Sequence, residues 1–226
     1  QGAVVKQRFA EVVKDDGTLY LDNIRGAKVT NEYYLKGKGE EVWEPRFTYF
    51  GFRYVEITGY PGVPALDDIV GCVVHDDMET AGHFRCSNDL VNRIVSNISW
   101  GVRGNYRSFP TDCPQRDERH AWLGDRSAES QGETYLFDVA ALYAKWVCDM
   151  EDAQRETGSV SDVSPAYWPL YNDGVTWPSS FIIIPGMLYR QYGDASVMAR
   201  HYDGMKKWIT HMSGYIKDGI MPRDTY

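Results

Sequence analysis

No CxxC pair occurs in this sequence. Its four cysteines, Cys72, Cys86, Cys113 and Cys148, stand singly. That spacing excludes the usual zinc-binding patterns, and it implies no disulfide framework in a chain this long. A basic surplus is missing too. The formal net charge is −8, so nucleic acid is not an expected partner. No apolar run approaches the length of a membrane span. The aliphatic stretch Phe181-Ile182-Ile183-Ile184 is cut at once by Pro185, and no membrane partner is expected. The N-terminus offers no basic region followed by an apolar stretch, so no signal peptide is expected there.

What is present is an ordinary globular composition with one excess. The 226 residues are 43% apolar, enough for one large domain or two small ones with packed cores. Aromatics reach 14%, with 16 Tyr and 7 Trp. Aromatic rings fill cores and interfaces. They also stack on the apolar face of a sugar ring. Composition alone leans toward the core.

The chain divides by pattern near residue 85. Before it, the residues read as β. Lys28-Val29-Thr30 and Tyr33-Tyr34-Leu35 are short β-prone runs, with turn signals at Asp15-Asp16-Gly17 and Lys36-Gly37-Lys38-Gly39. The stretch Arg46–Ile57 predicts two aromatic-rich strands, and Ile69–Val74 one more. After residue 85 the period becomes helical. Ser87, followed by Asn88-Asp89, can cap a helix bearing Leu90, Val91, Ile94, Val95 and Ile98 on one face. Further helices are predicted from about Ser127 to Gln154, Ser179 to Tyr192 and Ala195 to Ile216. Two long connections interrupt them, Asn105–Gly124 and Gly158–Pro178. Loops of about 20 residues inside a compact domain are usually functional.

The first of these loops concentrates charge. Asp112-Cys113-Pro114-Gln115-Arg116-Asp117-Glu118-Arg119-His120-Ala121-Trp122-Leu123-Gly124-Asp125 contains four carboxylates, two arginines and a tryptophan. One reading is a surface ion-pair cluster beside a helix start, with Asp125 as N-cap. The other is carbohydrate chemistry. Carboxylates and guanidiniums grip sugar hydroxyls through charge-assisted hydrogen bonds. Breaking a glycosidic bond needs a proton on the leaving oxygen, which a carboxylic acid can deliver when its surroundings keep it protonated.

The run Asp-Cys-Pro-Gln-Arg-Asp-Glu-Arg followed by Trp-Leu-Gly-Asp, residues 112–125, resembles the signature of the inverting bacterial α-L-rhamnosidases of glycoside hydrolase family 78. Phe47–Val55 resembles the family's strand before the catalytic domain. Trp177, Ile184-Pro185 and Leu188–Asp194 resemble its next barrel helices. The resemblance implies a β-sandwich segment over residues 1–80, then the first helices of an all-α six-hairpin (α/α) barrel over 81–226. It implies Glu118 as general acid. Asp112 and Asp125 fall on acidic positions that bind rhamnose hydroxyls, Arg116 on a basic position in the same pocket, and Trp122 and Trp177 on aromatics that line the sugar subsite. Asp117 could orient Arg116 or influence Glu118. The implied partners are rhamnose-containing glycans or glycosides, with no cofactor and no metal, since inverting hydrolysis uses carboxylates and water. Free thiols fit a cytoplasm. Plant-glycan breakdown fits a periplasmic or secreted enzyme, the favoured compartment.

Two departures bear on substrate preference. Ala121-Trp122 stands where the family often has Gly-Trp, and Pro178-Ser179 follows Trp177 where many members have Gly-Asp. The chain ends in Met221–Tyr226, which reads as mid-loop, so it is expected to be a fragment, inactive alone. An inverting glycosidase also needs a general base, about 6.5–9.5 Å from the acid. The family's base lies later in the barrel, beyond this sequence. Glu133, Asp162 and Asp173 are available carboxylates, with nothing pointing to any of them. Two other functions stay open. One is a different glycan-active enzyme on the same barrel. The other is a non-catalytic sugar-binding module.

Overall fold

A computed structural model describes residues 2–221 of the chain. It resolves into two compact units, residues 2–74 with 113–119, and residues 75–112 with 120–221. Residues 222–226 of the expected mid-loop ending lie outside the described residues.

The first unit is β. Strand β1 (Val4–Ala10) is the centre of an antiparallel sheet, flanked by β4 (Thr30–Tyr34) and β5 (Tyr54–Thr58). Phe9 pairs with Val55, and Arg8 with Thr30 and Glu56. A two-stranded hairpin, β2 (Val12–Val13) and β3 (Leu19–Tyr20), turns at Asp15-Asp16-Gly17, where Gly17 has φ +82°. Asp16 accepts from both the backbone N–H and the hydroxyl of Thr18, closing this turn. A second turn closes on Glu41. Its carboxylate takes the Tyr33 hydroxyl at 2.7 Å and the N–H groups of Lys36 and Gly37, which hold it down at about 2. The core is small. Phe9, Ile24 and Val29 are buried, with Phe50 stacked on Phe9 at 4.6 Å.

Two predicted strands do not form. Residues 46–53 carry no ladder, although Arg53 N–H donates to Ala10 O at the edge of β5. Phe50 and Phe52 still reach Phe9, so these aromatics make ring contacts without strand pairing. Ile69–Val74 forms no strand, and Val70 and Val73 are exposed.

The second unit is helical. Helix α1 (Asp89–Asn105) is capped by Asn88, whose side-chain oxygen accepts from the N–H groups of Leu90 and Val91. The predicted helix over 127–154 is two helices, α2 (Leu123–Glu133) and α3 (Ala140–Asp152). Between them the backbone of 136–138 pairs with residues 79–81 instead of continuing the helix. Ala81 N–H donates to Leu136 O, and Asp138 N–H to Glu79 O. Helix α4 (Ser180–Tyr192) stops at Gly193, left-handed at φ +70°, with its N–H on Tyr189 O. The predicted helix over 195–216 also breaks, into α5 (Ser196–Arg200) and α6 (Tyr202–Ser213). His201 between them is 2% exposed and leaves helical geometry to bury its ring.

Helix α4 packs on α2 and α3 around Tyr106, Leu123, Trp146, Met150, Phe181 and Ile184. A charged network lies inside this core. Arg126 Nη1 is 2.6 Å from Glu133 Oε1 and 3.0 Å from the Tyr106 hydroxyl, and Tyr143 donates to Glu133 Oε2. Burial first, and the Glu133 charge second, raises the Tyr106 phenol far above its ordinary value. The same burial raises Tyr143, so both phenols stay neutral.

Candidate active site

In the first unit, residues 113–119 are held by backbone and by charge. Gly51 N–H donates to Pro114 O at 3.0 Å. A Cβ at Gly51 would lie 2.6 Å from Pro114 Cγ, so the approach demands glycine. Arg25 is the anchor that the sequence did not reveal. It follows a 3-10 turn (Asp22–Ile24) and has φ +54°, a backbone state that few non-glycine residues adopt. From there its Nε reaches Asp117 Oδ1 at 2.9 Å and its Nη2 reaches Glu118 Oε2 at 2.7 Å. Gly26 N–H adds a bond to Asp117 Oδ2. Arg116 Nη2 meets the same Glu118 oxygen at 2.8 Å. Glu118 is the most enclosed of these charges, its side chain 18% exposed against 52% for Arg25. The structure thus brings Glu118 and Arg116 together and places Asp117 on Arg25.

In the second unit, Asp112 and His120 clasp each other. Asp112 N–H donates to His120 O at 3.0 Å, and His120 N–H donates to Asp112 Oδ1 at 2.8 Å. Residues 121–123 then pair with 162–164. Leu123 N–H donates to Asp162 O, and Ser164 N–H to Ala121 O. That pairing carries Trp122 to Trp168, edge to face at 6.3 Å. His120 lies 4.0 Å from the Trp168 ring and 5.7 Å from Tyr167. Trp168 and Tyr167 are exposed and belong to the second long loop. The sequence marked that loop but not these two rings as part of an aromatic group.

Asp125 is not an N-cap. Trp122 occupies that position, and Asp125 lies in the first turn of α2, where a negative charge suits the helix end. Trp177 lies across the same turn. A Cβ on Gly124 would stand 2.6 Å from the Trp177 ring, so the absent side chain admits the indole. Serines tie the loop down around it. Ser180 Oγ donates to Leu123 O, and Ser179 Oγ to Thr176 O.

The three spare carboxylates are all engaged. Glu133 is in the buried network with Arg126. Asp162 is fully buried and accepts from Asn172 Nδ2 at 2.7 Å. Asp173 takes the hydroxyls of Ser159 and Tyr215, with His211 Nε2 at 3.0 Å. These donors outweigh the upward effect of burial and hold the Asp173 carboxyl below its ordinary value.

Residues 79–225 match the family described as bacterial α-L-rhamnosidase 6 hairpin glycosidase domain, and residues 1–75 match the bacterial α-L-rhamnosidase concanavalin-like domain. An α-L-rhamnosidase of Streptomyces avermitilis is 40% identical over 225 residues, covering 100% of this chain and 22% of that protein. One from Formosa agariphila is 38% identical, over 100% of this chain and 24% of its own length. Among solved structures, the α-L-rhamnosidase from Dictyoglumus thermophilum superposes with a TM-score of 0.96 at 47% identity, over 100% of this chain and 25% of that one. The Streptomyces avermitilis α-L-rhamnosidase complexed with L-rhamnose gives 0.93 at 40% identity, over 98% and 22%. The chain therefore spans about a quarter of the length of these relatives. Strands followed by the helices of a six-hairpin glycosidase domain, as expected from residues 112–125, is the order found, and the chain belongs to the bacterial α-L-rhamnosidase family.

Proposed function

We propose that the whole protein is an inverting glycoside hydrolase that removes terminal α-L-rhamnosyl residues, with Glu118 as its general acid. The observation that carries this reading is the Glu118 carboxylate, enclosed and gripped by Arg25 and Arg116 inside the segment that carries the family signature. A general acid must hold its proton when the glycosidic oxygen departs. Opposite charge beside a carboxyl favours the ionised form. Substrate binding must therefore draw at least one guanidinium away from Glu118. Arg116 is the natural candidate, since its role in this reading is to bind rhamnose hydroxyls.

The remaining roles are those the family resemblance implies, and they suit the chemistry of the side chains. Asp112 and Asp125 accept sugar hydroxyls, and Trp122 and Trp177 offer flat apolar faces to the ring. Trp168, which packs on Trp122, and His120, which packs on Trp168, extend that aromatic surface. The general base lies in the part of the protein outside this chain. Glu133, Asp162 and Asp173 are each committed to structural partners, which argues against any of them as the base.

The test is product stereochemistry. The whole protein is mixed with an aryl α-L-rhamnoside and followed by proton NMR. β-L-Rhamnose as the first product supports the reading. An α first product, or no hydrolysis of any rhamnoside, contradicts it.

A further inference from the structure

Cys148, Glu151 and His201 form a contact chain in the second unit that the hydrolysis reading does not use. Cys148 and Glu151 are three residues apart on α3 and so share a face. His201, buried at the α5–α6 junction, lies between them. Its Nδ1 is 2.7 Å from Glu151 Oε2, and its Nε2 is 3.6 Å from Cys148 Sγ. A carboxylate only accepts, so Nδ1 carries a proton, and in that tautomer of the imidazole Nε2 turns its lone pair to the thiol.

The arrangement is built rather than incidental to one contact. A Cβ at Gly204 would stand 2.6 Å from Glu151 Oε1 and 3.1 Å from Phe181 Cζ, so glycine makes room for the carboxylate. Gln154 Nε2 donates to Gly204 O and Gly158 O, both at 3.0 Å, and fixes the backbone there. The Phe181 ring lies 6.4 Å from the His201 ring. Cys148 itself is partly exposed, with Ala144 O at 3.5 Å as its other acceptor. A nucleophile, a base and a group that orients the base stand here in the order that activates a thiol.

We propose that Cys148 is an activated thiol that exchanges with low-molecular-weight disulfides. The Cys148 proton passes to His201 Nε2. The thiolate attacks one sulfur of the small disulfide, a new S–S bond forms, and the old one breaks. The departing thiolate takes the proton back from His201. No external oxidant is consumed beyond the disulfide itself.

Mixed-disulfide formation with cystamine at neutral pH, mapped residue by residue by mass spectrometry on the full chain, tests this. Exposed Cys72 is the reference, and buried Cys113 reports any opening of the chain. A base in contact with the thiol, placed to take its proton during attack, is expected to speed the exchange by about threefold or more. Cys148 is thus expected to react about threefold faster than Cys72, despite being less exposed. His201→Asn and Glu151→Gln, made separately, are expected to bring Cys148 to the Cys72 rate or below, with Cys72 unchanged and Cys113 unlabelled. Cys148 reacting more slowly than Cys72 in the unaltered chain overturns the proposal without any variant. An unchanged Cys148 rate in either folded variant overturns it as well. If His201→Asn exposes Cys113, the Glu151→Gln comparison decides.

Discussion

The ring of Trp177 occupies the space where a side chain on Gly124 would stand, 2.6 Å from the position of its Cβ. Both residues belong to the expected sugar site or its signature, and the contact joins the second long loop to the first turn of α2. Two effects of Gly124→Ala oppose each other. Alanine favours a helix over glycine by about 0.5–1 kcal/mol. Forcing a methyl into a packed aromatic contact costs about 1–3 kcal/mol. Overpacking is the larger, so the variant is expected to be less stable by roughly 1–2 kcal/mol. Urea unfolding measures this, and a stabilised variant would mean that the indole yields freely.

On the proposed reading, Arg25→Ala is expected to separate stability from function. Its side chain is half exposed, and ion pairs of that kind contribute about 0–1 kcal/mol. Arg25→Ala is therefore expected to shift the thermal midpoint little. Its effect on rhamnoside hydrolysis by the whole protein should be larger, a loss of about tenfold, since a small misplacement of a catalytic group costs rate steeply. A large midpoint shift with unchanged turnover would assign Arg25 to folding alone.

The buried network of α2 makes the opposite case. The Arg126 and Glu133 side chains are 10% and 5% exposed. Removing one partner of a buried pair costs about 3–5 kcal/mol, because the other charge is left stranded. Glu133→Ala is expected in that range. Glu129, which is 64% exposed and also touches Arg126, is expected to cost under about 1 kcal/mol as Glu129→Ala. Equal losses from the two variants would show that Arg126 is wetter than its burial implies.

Asp173 carries a pH dependence with a definite sign. Ser159, Tyr215 and His211 hold its folded-state carboxyl below the ordinary 3.8. A carboxyl lowered in the folded state stabilises fully above its unfolded value, and that stability is lost as pH falls through the folded value. Asp173→Asn is thus expected to be less stable than the parent at pH 6. The gap should shrink below about pH 4 and close once Asp173 is protonated in both states. A gap that stays constant down to pH 2 would contradict this.

Much of this was legible in the residues, for identifiable reasons. Asn88 capping α1 and Gly193 ending α4 are local signals, and local signals survive folding. The signature from Asp112 to Asp125 is contiguous, so its carboxylates and Trp122 could be named in advance. What escaped depends on distant partners. Arg25 is 93 residues from Glu118, and no periodicity links them. The break at 134–139 comes from backbone pairing with residues 79–81, and the break at His201 from a buried ring. Trp168 joins Trp122 only because residues 162–164 pair with 121–123.

The most direct measurement is hydrolysis by the whole protein with Glu118→Gln, on 4-nitrophenyl α-L-rhamnoside and on a natural rhamnoside side by side. Removing a general acid costs about a hundredfold or more on the natural substrate. The loss should be smaller on the nitrophenyl substrate, whose leaving group needs little protonation. Equal activity of variant and parent on both substrates would show that Glu118 does not deliver the proton.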